Sequence, residues 1–304
     1  MRARGMLAGL GAAAIWGGMY VVSKVVLDVL PPFTLLSLRL VLGAMALGAL
    51  VALSRSRLGV ARREVPVLLG IGALGFGVSV GLQFVGTALS SAANAALLTS
   101  ASPVFLLLFG ALILREAVTP KRLGALVLAS LGVLAVLDPT AVDLSQATAR
   151  GNLALVGASI TWGLYSVLVR LASRNAPTIA VSLLGFVGGL LISLPMATTE
   201  GWVAPPLGLP IVLGILYLGL VSTALAMYLW NRSLALLEAG LVSLLFFAQP
   251  VVGVSLGALL LGERLGPGFW LGSALIAAGL LLAAAPADSS APPGPRPTPE
   301  GGRP

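Results

Sequence analysis

Trp16, Tyr20, Trp162 and Tyr165 are aromatic residues with a polar edge set deep inside apolar runs, and Arg39 is a permanent cation in another such run. An indole N–H or phenol O–H in an apolar interior needs a hydrogen-bond partner, and a buried guanidinium needs an acceptor or a counter-charge. The chemistry on offer is reversible recognition of a small solute: stacking, hydrogen bonding and anion attraction. Bond-making groups are scarce. The 304-residue chain has no cysteine and no histidine, which excludes thiol nucleophiles, thiolate metal sites and the usual proton shuttle. It carries no Walker A, HExxH or GxSxG sequence, so neither nucleotide-driven pumping nor the common hydrolytic chemistries have a carrier. The reading is of a protein that is not an enzyme and uses no cofactor and no metal.

Two prolines mark where further polar groups gather. Pro103 and Pro250 fall near the middle of apolar runs, and each removes one helical hydrogen bond, freeing the carbonyls of Thr99 and Phe246. Such kinks place Thr99, Ser102 and Gln249 around a central site, or else they are structural bends. Trp16 and Trp162 lie ten and eleven residues into their runs, near mid-span at 1.5 Å per residue. They either line a cavity or bond a backbone carbonyl in tight packing. Gly17 and Gly163 follow them and allow close approach of a neighbour. Arg39 either snorkels to an interface or attracts an anion and holds a gate. Glu116 and Glu263 each precede by four residues a proline that opens the next helix, which suits a structural role at the helix dipole.

The elements that must position these residues are membrane helices. The chain is 58% hydrophobic and 9% charged, against about 25% charged in soluble domains. Ten stretches are apolar and near the length needed to cross a bilayer: 6–29, 33–53, 66–87, 91–114, 121–137, 151–173, 177–197, 209–234, 239–262 and 267–285. The net charge of +8 therefore speaks for membrane orientation and not for nucleic acid. With the N-terminus in the cytoplasm, fourteen of the eighteen lysines and arginines fall on the inner side, three fall outside, and Arg39 lies within a span. Both termini are expected inside. The tail from Pro286 is rich in proline and glycine and predicts disorder.

An internal repeat organises the spans. PVFLLLFGALILREAVTP at 103–120 and PVVGVSLGALLLGERLGP at 250–267 share eight of eighteen positions, and IWGGMYVVSK at 15–24 parallels TWGLYSVLVR at 161–170. Five helices separate the copies. An odd number inverts the second, which predicts an all-α membrane protein of ten transmembrane helices in two inverted five-helix repeats. The expected divisions are 1–137, an external linker at 138–150, 151–285 and a cytoplasmic tail at 286–304. Inverted repeats give two nearly equivalent conformations, the basis of alternating access.

The tryptophan–glycine pairs, the repeated P…GAL.L.E…P block and LPPFTLLSLRL at 30–40 resemble the EamA family of drug/metabolite transporters, over residues 6 to about 285. The resemblance implies a carrier for a small-molecule metabolite such as an amino acid, an amine or a drug-like amphiphile. It is read as an exporter or facilitator in a bacterial plasma membrane, with the lipid bilayer as surroundings and a monomer or homodimer as assembly. A channel or membrane-bound sensor of the same fold is the alternative. None of the ten carboxylates falls at mid-helix, so a carrier without proton coupling is expected.

Overall fold

The computed structural model describes residues 1–54, 58–137, 145–146, 148–201, 207–261 and 266–284. Among these residues the regular elements are all helical. Among the described residues nine helices are long and apolar enough to cross a membrane: α1 (Arg2–Leu27), α2 (Pro32–Leu53), α3 (Arg62–Leu89), α4 (Asn94–Leu114), α5 (Pro120–Leu137), α6 (Ala149–Ala172), α7 (Thr178–Thr199), α8 (Leu209–Leu236) and α9 (Ala239–Leu256). A shorter apolar helix, α10 (Pro267–Ala283), follows. In hydrocarbon no water meets the backbone, so Leu- and Ala-rich runs close their own hydrogen bonds as helices. Pro32, Pro120 and Pro267 open α2, α5 and α10, where a missing N–H costs nothing.

The helices pack chiefly on partners from the other half of the sequence. α1 lies against α8 and α9, and α6 lies against α3 and α4, while α2 pairs with α7 and α5 with α10. The close approaches fall just after the two tryptophans. A Cβ on Gly17 would come within 2.9 Å of the Gln249 carbonyl oxygen and the Gly253 nitrogen. One on Gly163 would come within 2.7 Å of the Phe105 Cβ and 2.9 Å of the Leu106 nitrogen. Glycine at these two positions lets α1 touch α9, and α6 touch α4, at backbone distance.

Four irregularities shape the interior. Regular helix stops at Thr99 and resumes at Ser102 in α4, and it stops at Leu245 and resumes at Ala248 in α9. The breaks end two and three residues before the mid-span prolines Pro103 and Pro250. α3 and α8 widen into π-helical stretches at Ala73–Val80 and Tyr217–Leu225. Single π turns recur at functional positions because they move side chains and carbonyls out of the α pattern.

The acidic residue at the end of α4 serves a different helix from the one its spacing indicates. Arg115 takes a left-handed φ of 56° and ends α4, and the Glu116 N–H returns to the Gly110 carbonyl. The Glu116 carboxylate then accepts the N–H groups of Ala239 and Gly240, both at 3.0 Å, capping α9 and not α5. Glu200, after α7, likewise accepts from the Phe33 and Thr34 N–H groups and the Thr34 hydroxyl, all at 2.8 Å. Glu263, Trp202, Arg264, the tail at 286–304 and most of the 138–150 linker lie outside the described residues.

Candidate substrate cavity

α1, α2, α3, α4, α6, α8 and α9 surround a cavity in the interior. Its aromatic wall is built on Trp16. The Trp16 ring lies 5.6 Å from Trp162, edge-on at 82°, 5.5 Å from Trp230 and 6.0 Å from Phe246. The Trp16 indole donates to the Ser222 carbonyl at 3.0 Å, a group in the π-helical part of α8. The Trp162 N–H is buried with no partner.

Another part of the lining is polar. Thr99 donates its hydroxyl to the Ala95 carbonyl at 2.6 Å, so its oxygen is left to accept from the Tyr20 hydroxyl. Ser102 donates at 2.7 Å to the Thr99 carbonyl, the group that Pro103 leaves without its helical N–H. The Gln249 amide nitrogen donates to the Trp16 carbonyl at 3.4 Å, while its oxygen is buried and unpartnered. A buried polar atom left unmet costs about 1–3 kcal/mol, so Trp162 and Gln249 present one donor and one acceptor that a bound molecule would satisfy.

Arg39 completes the site. It is 1% exposed, so its guanidinium does not snorkel to an interface. Its Nε donates to the Thr223 hydroxyl at 2.6 Å and a terminal nitrogen donates to the Ser222 hydroxyl at 3.4 Å. Both terminal nitrogens lie 3.8–3.9 Å from the Met19 sulfur, and the cation sits 5.2 Å from the centre of the Phe84 ring. The ion pairs among the described residues are Lys24–Asp28 and Arg122–Glu238, so no carboxylate answers Arg39. The cavity itself is contracted. About 30 Å³ is open to the centres of water-sized molecules, room for roughly two waters.

A family model, that of the EamA-like transporter family, matches residues 3–137 and again residues 149–285. The chain belongs to the EamA-like transporter family. Among members and relatives, "Uncharacterized transporter YoaV" of Bacillus subtilis is 24% identical over 91% of this chain and 95% of its own length. Proteins named "Probable amino-acid metabolite efflux pump" in Salmonella typhimurium and Escherichia coli are each 28% identical over 92% of this chain and 94% of their own. A chain of known crystal structure shares the fold, with a TM-score of 0.81 at 22% identity over 93% of this chain and 97% of that one. The chain is thus a multi-pass membrane protein of a transporter family.

Within this EamA-like chain, Trp16, Tyr20, Arg39, Thr99, Ser102, Trp162 and Gln249 all line the one cavity. Tyr165 does not line it. Its ring packs behind Trp162 and against Phe76, and its hydroxyl donates to the Asn231 side-chain oxygen at 3.2 Å. The Asn231 amide donates on to Ser182 at 3.0 Å. Pro103 and Pro250 follow the helix breaks without lining the cavity. Met19, Ser79, Gln83 and Met227 line it without having stood out in the sequence, Phe246 lines it although only its carbonyl had been singled out, and Trp230 backs the aromatic wall. One signal for Trp230 was present: the 146-residue spacing of Trp16 and Trp162 also separates Phe84 from Trp230.

Proposed function

We propose that the chain is a secondary transporter working by alternating access, with ten transmembrane helices in two inverted five-helix repeats. It moves a small metabolite across a bacterial plasma membrane, with both termini in the cytoplasm. The observation that carries the reading is Arg39, a desolvated cation in the cavity with hydroxyl, sulfur and ring partners but no carboxylate. A buried charge without a counter-ion is costly, and a carboxylate on the substrate would supply one. The partnerless Trp162 N–H and Gln249 oxygen add places for an acceptor and a donor on the same molecule. Amino acids and their derivatives carry those groups, and two relatives are named for amino-acid metabolite efflux.

The two-fold match to the family model and the reciprocal packing of α1 and α6 support the inverted repeat. The contracted cavity reads as an occluded form that must open to admit solute. Purified protein in liposomes preloaded with an unlabelled amino acid should draw in the labelled compound transiently above equilibrium. Uptake that is linear in concentration and indifferent to preloading would instead mark a channel.

A further inference from the structure

The lining of the central cavity carries one sign of charge. Arg39 is its cation, and among the described residues no lining side chain is anionic. On the reading that this cavity carries the solute, a solute carboxylate leaves the loaded site neutral. An amino-acid zwitterion would bring its ammonium into the same enclosure. One positive charge would then stay unanswered, which surroundings of low dielectric make costly.

Neutral acceptors could gather round an ammonium, but most of those at the cavity are engaged. Ser102 donates to the Thr99 carbonyl at 2.7 Å, Ser79 to the Ala158 carbonyl at 2.9 Å and Trp16 to the Ser222 carbonyl at 3.0 Å. The Gln249 backbone N–H meets the Phe246 carbonyl at 3.0 Å, and its side-chain nitrogen meets the Trp16 carbonyl at 3.4 Å. The rings pack on one another, Trp16 on Trp162, Trp230 and Phe246, and Trp162 on Tyr165. A ring face repays only part of the hydration that a buried ammonium loses. Gln83 adds a second amide to the lining and no charge.

Two buried polar atoms of lining residues have no partner: the Gln249 Oε1, an acceptor, and the Trp162 Nε1, a donor. An ammonium has three N–H groups to satisfy and accepts nothing. One acceptor and one donor are instead the complement of a secondary amide, which has one N–H and one carbonyl. Met19, Val80, Met227 and Phe246 supply apolar lining for the carbon attached to it.

We propose that the cavity takes N-acylated amino acids, carboxylates with one net negative charge, in preference to the free zwitterions. The carboxylate answers Arg39, the acyl carbonyl accepts from the Trp162 indole, and the amide N–H donates to the Gln249 side-chain oxygen.

The test titrates purified full-length protein in neutral detergent with leucine, N-acetyl-leucine, leucine amide and isocaproate, the leucine skeleton without its nitrogen, and reads binding by calorimetry. N-acetyl-leucine should bind about tenfold tighter than leucine, the advantage of one well-placed pair of hydrogen bonds. Leucine amide, a cation, should not bind. Trp162→Phe should weaken N-acetyl-leucine about tenfold and leave isocaproate unchanged, whereas a purely structural Trp162 would affect both alike. Serine and phenylalanine with their N-acetyl forms are measured in parallel, so that the ranking does not hang on one side chain. The proposal is overturned if the free amino acids bind as tightly as their acylated forms, if no acylated form binds, or if Trp162→Phe weakens isocaproate equally. Counterflow in liposomes reports on the transport reading separately. Exchange that favours the zwitterion keeps the carrier and discards the amide preference, and no exchange of either form discards both.

Discussion

Lys24 and Arg170 make the same contact in the two halves of the molecule. The Lys24 ammonium lies 3.4–3.5 Å from the carbonyl oxygens of Thr87, Ala88 and Ser90, at the end of α3. Arg170 meets the Leu234 and Ala235 carbonyls at the end of α8. Each is a cation from the first helix of its half closing the third. A cation there answers the orphan carbonyls and the negative end of the helix dipole. Arg170→Gln should cost about 1 kcal/mol, read as a lower thermal midpoint in detergent. Lys24→Gln should cost less, because that side chain is 32% exposed and shared with Asp28.

Arg39 separates stability from transport. A buried charge without a counter-ion gives back its desolvation cost when replaced by an apolar residue of similar length. Arg39→Met should leave the thermal midpoint unchanged or raised. It should also cut exchange of a carboxylate-bearing substrate about a hundredfold, within the 2–5 kcal/mol lost when one member of a buried charge pair is removed. Full exchange by a well-folded Arg39→Met variant would remove the arginine from substrate binding.

The two cavity tryptophans should answer differently to loss of the indole nitrogen. Trp16→Phe removes the hydrogen bond to the Ser222 carbonyl and should destabilise by about 1 kcal/mol. Trp162→Phe removes a donor that has no partner, so stability should hold while transport falls. Trp270→Phe, on a side chain 63% exposed, should change neither. Unfolding midpoints and counterflow rates on the same preparations check all three.

Proton coupling lacks a carrier group among the described residues. Asp28 pairs with Lys24, Glu238 with Arg122, and Glu64, Glu116 and Glu200 accept backbone N–H groups. None of them lines the cavity. Reconstituted protein should equilibrate a neutral zwitterionic substrate with no ion gradient imposed. A pH gradient alone should drive no accumulation; uptake above equilibrium that an uncoupler abolishes would point to a carboxylate relay.

How much of this could be read from the residues depends on whether the cause was local. The helix breaks before Pro103 and Pro250 follow from a ring that cannot donate a hydrogen bond, which any sequence displays. The meeting of Trp16 and Trp162 follows from their mid-span positions, and hydropathy marks ten apolar stretches, nine of which are spanning-length helices among the described residues. The π turns of α3 and α8 have no such signature, because insertion of one extra residue per turn leaves the apolar run looking the same. They bring the Ser222 carbonyl to Trp16 and the Ser222 and Thr223 hydroxyls to Arg39. Glu116 shows the other limit. Its spacing before Pro120 suggests a cap for α5, yet the carboxylate reaches α9, more than a hundred residues away in the chain. Tyr165, expected at the cavity, packs behind Trp162 for the same reason: which face of a fully apolar helix turns inward is decided by its neighbours.

The narrowness of the central cavity has an electrical side. With room for about two waters and a permanent positive charge on its wall, the contracted site is a poor wire for hydronium or metal cations, which the arginine repels. A cell that stores energy as ion gradients must keep its membrane insulating at every protein it inserts. Arg39 in so narrow a cavity would let the idle molecule sit in an energised membrane without short-circuiting it, and a carboxylate that neutralised the arginine would lift that barrier only while solute was aboard.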